Sequence, residues 1–200
     1  LAEAIRRFAQ AADSLQFPAV KREMKTSHGL VVVGPPGDDV YQYFVPPLMI
    51  IDGGGNDRYE FGGYPDGYPL AVILDLGGND VYLSPDSTRP GIGGAILGMS
   101  VLVDLAGNDR YEATNLAQGA ALFGVGLLYD GTGDDLYSGR SWCQAAATFG
   151  VGVLADSSGA DSIFCLEKSQ GYGYTAGCGL LVRFQPFGTP GCGSGLKIRA

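Results

Sequence analysis

Residues 104–111 read DLAGNDRY, and three other stretches say nearly the same: DGGGNDRY at 52–59, DLGGNDVY at 75–82 and DGTGDDLY at 130–137. Aligned on the shared glycine, six units begin at Gly34, Asp52, Asp75, Asp104, Asp130 and Asp156, at intervals of 18, 23, 29, 26 and 26 residues. Three positions on, every unit has glycine: Gly37, Gly55, Gly78, Gly107, Gly133 and Gly159. Five on, every unit has aspartate: Asp39, Asp57, Asp80, Asp109, Asp135 and Asp161. Seven on stand Tyr41, Tyr59, Tyr82, Tyr111 and Tyr137, with Ile163 in the last unit. Two columns filled in all six units establish an internal repeat, and the fold has to explain it.

The residues before each loop repeat as well: PLMIID, PLAVILD, GMSVLVD, GVGLLYD and GVGVLAD all end on the starting aspartate. Alternation of apolar and small residues running into a Gly/Asp/Asn cluster is a strand ending in a sharp turn. One such unit per 26 residues or so, in register, predicts an all-β parallel β-solenoid of about six coils. Gln118, Gln144 and Gln170, each fourteen residues after its own start, form a further column. They predict either an amide ladder between coils or a solvated face. Ile5, Phe8, Ala9, Ala12 and Leu15 recur at helical spacing. The domain reading is therefore an N-terminal capping α-helix over 1–25, a repeat domain over 26–182 and a C-terminal tail over 183–200, where QPFGTPGCGSG breaks the pattern. The chain opens on Leu1 rather than Met, as a fragment or a processed product would.

Thirteen of the 16 aspartates fall in the loops, five at the start, six at the fifth position, and Asp38 and Asp134 beside it. In a solenoid, equivalent residues stack about 4.8 Å apart. Two carboxylates at about that distance repel by roughly 0.9 kcal/mol even in bulk water, and by several-fold more where water is excluded. A row of them needs an offset: a cation, backbone N–H donors, or raised pKa values. Arg58 and Arg110, next to two of the loop aspartates, are candidates to neutralise part of the row.

The loops GTGDDLY and GGGNDRY resemble the nonapeptide G-G-x-G-x-D-x-U-x of the RTX (repeats-in-toxin) calcium-binding β-rolls. The resemblance implies Ca²⁺ held between neighbouring coils by turn carbonyls and by Asp57, Asp80, Asp109, Asp135 and Asp161. Asp39 occupies the same column, and Asp52, Asp75, Asp104, Asp130 and Asp156 are further candidate ligands. Tyr or Ile would be the inward anchor two residues later. Calcium suits such a site as a hard cation that takes six to eight oxygens in flexible geometry. The resemblance covers about seven residues per unit, because RTX repeats recur every nine residues and these every 26 or so. The competing reading is that the aspartates only form turns, each bonding its own backbone two residues on.

Composition narrows the remaining classes. The chain is 46% hydrophobic and 17% charged, with 33 glycines in 200 residues: too apolar for disorder and too glycine-rich for a helical bundle. A net charge of −8 argues against nucleic acid and anionic membrane surfaces, and no apolar run is long enough to span a bilayer. The four cysteines, Cys143, Cys165, Cys178 and Cys192, form no CxxC pair; Cys178 and Cys192 are placed to staple a C-terminal cap, or all are buried thiols. His28, the only histidine, lies outside the repeat and has no nucleophile motif around it. GPPGDD at 34–39 lacks a phosphate-loop lysine and aligns with the other turns. No Thr column supports ice binding. Trp142 aligns with Leu116, which suggests packing.

These readings favour a non-catalytic structural or interaction module of an extracellular or cell-surface protein, with calcium in its loops. The alternative is a carbohydrate-active or glycan-binding β-helix, whose acidic pair would involve the irregular segment GGYPDGYP (62–69) and Asp66. If the odd positions before each aspartate (Val125, Leu127, Tyr129) fill the core, the glycines between them form an outer strip. Ile50, Ile73, Leu102, Leu128 and Leu154 then share that outer face. Such a column needs a cover: the N-terminal helix, the return side of the coil, a second copy of the chain or another protein.

Overall fold

Each alternating apolar run forms an extended strand that ends on its aspartate, where the glycine-containing loop turns the chain onto a second strand. A computed structural model describes residue 7, residues 16–65 and 68–183, and the backbone of 197–199. Among these residues three sheets run along one axis. The longest has nine strands, in the order Arg22–Thr26, Gly29–Val33, Met49–Ile51, Leu70–Asp75, Met99–Asp104, Val125–Asp130, Val151–Asp156, Cys178–Arg183 and Lys197–Arg199. All pair in parallel except the first and last, which are antiparallel to their neighbours. The second sheet stacks Val40–Tyr43, Arg58–Phe61, Val81–Ser84, Arg110–Ala117, Leu136–Cys143 and Ser162–Glu167. The third is four two-residue strands, Ala95–Ile96, Ala121–Leu122, Ala147–Thr148 and Gly173–Tyr174.

The chain is thus a parallel β-solenoid of about five turns with a period near 26 residues. Six copies of a loop delimit five turns, which is why the repeat count runs one ahead of the coils. The corners between sheets use left-handed backbone in register: Leu116 and Trp142 with Gln118, Gln144 and Gln170 at one, and Leu97, Phe123 and Phe149 at the next.

The expected faces are reversed. Val32, Ile50, Ile73, Leu102, Leu128, Leu154 and Leu181 pair in register as one aliphatic column, and none is more than 4% exposed. Val125, Leu127 and Tyr129 face outward and are half-buried. Gly126 and Gly152 line the interior, because the third side of the coil passes directly against them: a Cβ on Gly126 would lie 2.1 Å from the Ala120 carbonyl oxygen. Of the covers expected for this strip, the return side of the coil is the one in place. Small residues here mark close backbone approach, not a bare surface.

At the N-terminal side, the expected helical cap lies mostly outside the described residues, but Arg22–Thr26 is a strand and not the end of a helix. It forms a hairpin with Gly29–Val33, whose turn is held by Thr26 Oγ1 accepting from the N–H groups of His28 and Gly29. His28 sits exposed at that tip. Most of the 183–200 tail, including Cys192, is also outside the described residues, as is Asp66. Cys178 is an exposed free thiol.

Candidate metal centre

The loops stack as the repeat predicts. Asp75, Asp104, Asp130 and Asp156 are register partners at the end of the long sheet, and the five tyrosines are register partners at the start of the second. Their rings form one continuous stack, with centroids 4.7–4.8 Å apart and planes within 8° of parallel. All five are buried to within 2%.

Two acidic columns run beside this stack. In the first, each carboxylate accepts a phenol O–H from the coil before it: Tyr59 to Asp75 at 2.5 Å, Tyr82 to Asp104 at 2.7 Å, Tyr111 to Asp130 at 2.6 Å and Tyr137 to Asp156 at 3.2 Å, with Tyr41 to Asp52 likewise. The other oxygens of Asp52, Asp75 and Asp104 accept the N–H two residues on, as a turn-forming aspartate does. In the second column, the Oδ1 atoms of Asp57, Asp80, Asp109, Asp135 and Asp161 accept the backbone N–H of the preceding aspartate in the column, at 2.5–3.2 Å. A third ladder, on the exposed side, runs from Asn56 to Asn79 to Asn108 to Asp134, each backbone N–H bonding the side-chain oxygen before it at 2.8–2.9 Å. Turn capping is therefore present, but it uses only part of the acceptor capacity. The Oδ2 atoms of Asp39, Asp57, Asp80, Asp109 and Asp135, and the Oδ1 atoms of Asp130 and Asp156, are buried without a hydrogen-bond partner.

Carboxylates of neighbouring loops converge around these oxygens. Among the described residues, four groups of three carboxylates have ligand atoms within 4.8 Å of one another: Asp52/Asp57/Asp75, Asp75/Asp80/Asp104, Asp109/Asp130/Asp135 and Asp135/Asp156/Asp161. Desolvation raises their pKa values, to about 8 for Asp52, 9 for Asp80, 7 for Asp109 and 9 for Asp130. Asp104, pressed also by Asp109, Asp75 and Asp130, is pushed well above the carboxylate range. The phenols, raised further still by burial, stay protonated as donors. Within a loop the two aspartates have carboxylate oxygens within 4.8 Å of each other, Asp52 with Asp57 and Asp130 with Asp135. The charge can therefore be met by a shared proton or by a cation, and a group of carboxylates with no nitrogen or sulfur donor suits a hard, oxygen-seeking cation.

Cationic side chains mark the two ends of the row. Lys21 Nζ lies 3.8 Å from Asp39 Oδ1 and 4.8 Å from the centre of the Tyr41 ring. Arg183, register partner of Asp156, donates from Nη2 to Asp161 Oδ2 at 2.8 Å and to its backbone oxygen at 2.9 Å. Arg58 and Arg110 do not neutralise the row; they turn outward to Glu60 and Glu112. Among the described residues the aspartates between the ends form no ion pair. The sequence places Arg183 where the next aspartate belongs, but Lys21 lies in a segment expected to be helical and gave no such signal. The sequence reading takes the tyrosines as packed anchors and misses their hydroxyl role, for which the available signal is that five repeats use Tyr and none Phe.

Elsewhere, Gln118 and Gln144 are buried, and each amide Nε2 bridges backbone carbonyls of two coils: Tyr111 with Ser138, and Tyr137 with Phe164. Trp142, packed edge-on against Tyr172 and Tyr174, lines a groove of about 370 Å³ with Ile96, Leu116, Leu122, Asn115 and Thr148. No family model matches this chain, and comparison with curated proteins and with solved structures likewise finds no match.

Proposed function

We propose that this chain is a non-catalytic structural or interaction module of an extracellular or cell-surface protein, whose stacked acidic loops bind Ca²⁺. The observation that carries the reading is the convergence of carboxylates in threes along the row, where every group includes a buried oxygen without a hydrogen-bond partner and in Asp109, Asp130 and Asp135 all three residues have one. Asp52, Asp57 and Asp75 would hold one ion, and the other three groups the rest; Asp75 and Asp135 are each shared by two groups. The bound ion would supply positive charge that removes the repulsion between coils, so that binding stabilises the folded chain by mass action. The loop resemblance to RTX repeats supports the same ion.

The test uses the tyrosine stack as an antenna. Tb³⁺ added to the full chain should give tyrosine-sensitised luminescence that Ca²⁺ displaces, and Ca²⁺ should raise the melting temperature measured in chelator. Asp109→Asn keeps the oxygen that accepts from Asp80 but removes the charge. It should fold as well as the parent without metal, yet bind less Tb³⁺. Absence of sensitised luminescence together with equal melting in Ca²⁺ and chelator would sink the proposal.

A second reading, glycan binding, is favoured by one observation. The Trp142 groove combines aromatic faces with Thr148 Oγ1, a buried hydroxyl without a partner. As the only tryptophan, Trp142 reports directly: its fluorescence should shift on titration with neutral oligosaccharides, and an unchanged spectrum rejects this reading.

A further inference from the structure

The end of the solenoid beside Arg183 also brings two thiols together. Cys143 ends the strand Leu136–Cys143, and Cys165 lies in the neighbouring strand Ser162–Glu167, paired in register with Gly139. The strand bends so that Cys143 folds back over Gly139. A Cβ at Gly139 would lie 2.7 Å from Cys143 Cβ, 3.0 Å from its Sγ and 3.5 Å from Cys165 Sγ. Glycine at 139 is therefore what gives both sulfurs room over the same spot. The two thiols are within hydrogen-bonding reach of each other. Ser169 fastens the pair, its Oγ lying 2.6 Å from Cys165 Sγ and accepting the Cys143 N–H at 3.1 Å. Cys143 is fully buried, and Cys165 is partly open to solvent on the edge strand of the second sheet.

We propose that Cys143 and Cys165 are an oxidisable dithiol that accepts a disulfide bond by exchange with a low-molecular-weight disulfide, stapling the last two coils together. Cys165 is the attacking group, since its hydrogen bonds from Cys143 and Ser169 favour the thiolate and lower its pKa to about 6. Its sulfur attacks one sulfur of the small disulfide, forming a mixed disulfide and releasing one thiolate. Cys143 then loses its proton to that thiolate and attacks Cys165 Sγ, forming the Cys143–Cys165 bond and releasing the second thiolate, which takes a proton from water. Two protein thiols are oxidised and one small disulfide is reduced to two thiols.

The experiment is incubation of the full chain with oxidised glutathione, acid quench, alkylation of remaining thiols and peptide mass mapping. The expected result is a Cys143–Cys165 cross-linked peptide, with Cys178 carrying at most a separate glutathione. The melting temperature should rise by about 5–10 °C on closure of the loop. Cys143→Ser should stop the reaction at a glutathione adduct on Cys165, and Cys165→Ser should leave buried Cys143 unreacted. A stable glutathione adduct on Cys165 of the parent chain, alkylation of Cys143 after treatment, or a cross-link from either residue to Cys178 or Cys192 would each overturn the proposal. The parent-chain mapping decides the matter even if a variant does not fold.

Discussion

Replacing Gly107 by alanine tests the stacking of the loops directly. Gly107 has φ +153°, and a Cβ there would sit 1.4 Å from the carbonyl oxygen of Gly78 in the coil beneath. Because that atom is backbone, the overlap is relieved only by lifting one loop off the other. Lifting breaks three bonds: Gly78 N–H to Ala106 O at 2.8 Å, Asn108 N–H to Asn79 Oδ1 at 2.8 Å, and Asp80 N–H to Asp109 Oδ1 at 2.7 Å. At about 1 kcal/mol each, plus about 1–3 kcal/mol for alanine in that backbone region, the expected loss is about 4–6 kcal/mol. For a chain of this size that corresponds to a fall of roughly 10–20 °C in melting temperature. Gly37 holds the same column position in the first repeat, but a Cβ there meets nothing within 4 Å. Gly37→Ala should stay within about 1 kcal/mol of the parent. Thermal and urea melts followed by circular dichroism measure both. If Gly107→Ala melts within a few degrees of the parent, or Gly37→Ala loses as much, the loops do not pack as described.

Three further expectations follow from the same geometry. Leu128→Ala, in the interior column, should cost about 3 kcal/mol in urea melts, and Leu127→Ala less than half of that; the opposite order would restore the original assignment of faces. Tyr111→Phe removes the phenol donor from buried Asp130 Oδ2 and should cost about 1–3 kcal/mol in metal-free buffer at pH 7, whereas an unchanged midpoint would mean the phenol is not needed. In chelator, the acidic row should make the chain less stable as pH rises. Its carboxyls have folded pKa values of about 6 to 9 against 3.8 unfolded, so their contribution is complete below 3.8 and is lost as pH climbs through 6 to 9. The melting temperature should fall between pH 5 and 9 in chelator and fall less with Ca²⁺; a rise over that range without metal would contradict the burial of the row.

Periodicity made the solenoid legible because each loop repeats a chemical requirement. Glycine stands where the coil beneath leaves no room for a Cβ, aspartate where a backbone N–H needs an acceptor, and tyrosine where a ring stacks and its hydroxyl donates. The face assignment failed because both faces of the long strands carry apolar residues: Leu127 and Leu128 look alike to a hydropathy pattern. What separates them is the neighbouring Gly126, small because the backbone at Ala120 presses on it, and that contact comes from a part of the coil with no strand signal of its own. A coil of this length suggests a three-sided β-helix, but the strands of the third side are not legible, since two-residue strands such as Ala121–Leu122 are too short to show alternation. The convergence of carboxylates was anticipated from stacking alone, but Lys21 was not, because its ion pair depends on a strand where helical spacing had suggested a cap.

The short phenol-to-carboxylate bonds point the same way along the axis, from each tyrosine to the aspartate of the following coil, and the one reverse contact, Tyr111 to Asp104, is long at 3.5 Å. The two termini of such a rod are chemically unequal. Deleting a coil from the far end would leave a phenol without its acceptor, whereas deleting one from the near end would leave an acid without its donor, a loss that grows as pH rises and the acid ionises. Shortened versions of this protein should therefore tolerate loss at the C-terminal side better than at the N-terminal side, and any natural lengthening should proceed by insertion within the stack, where every new donor finds an acceptor.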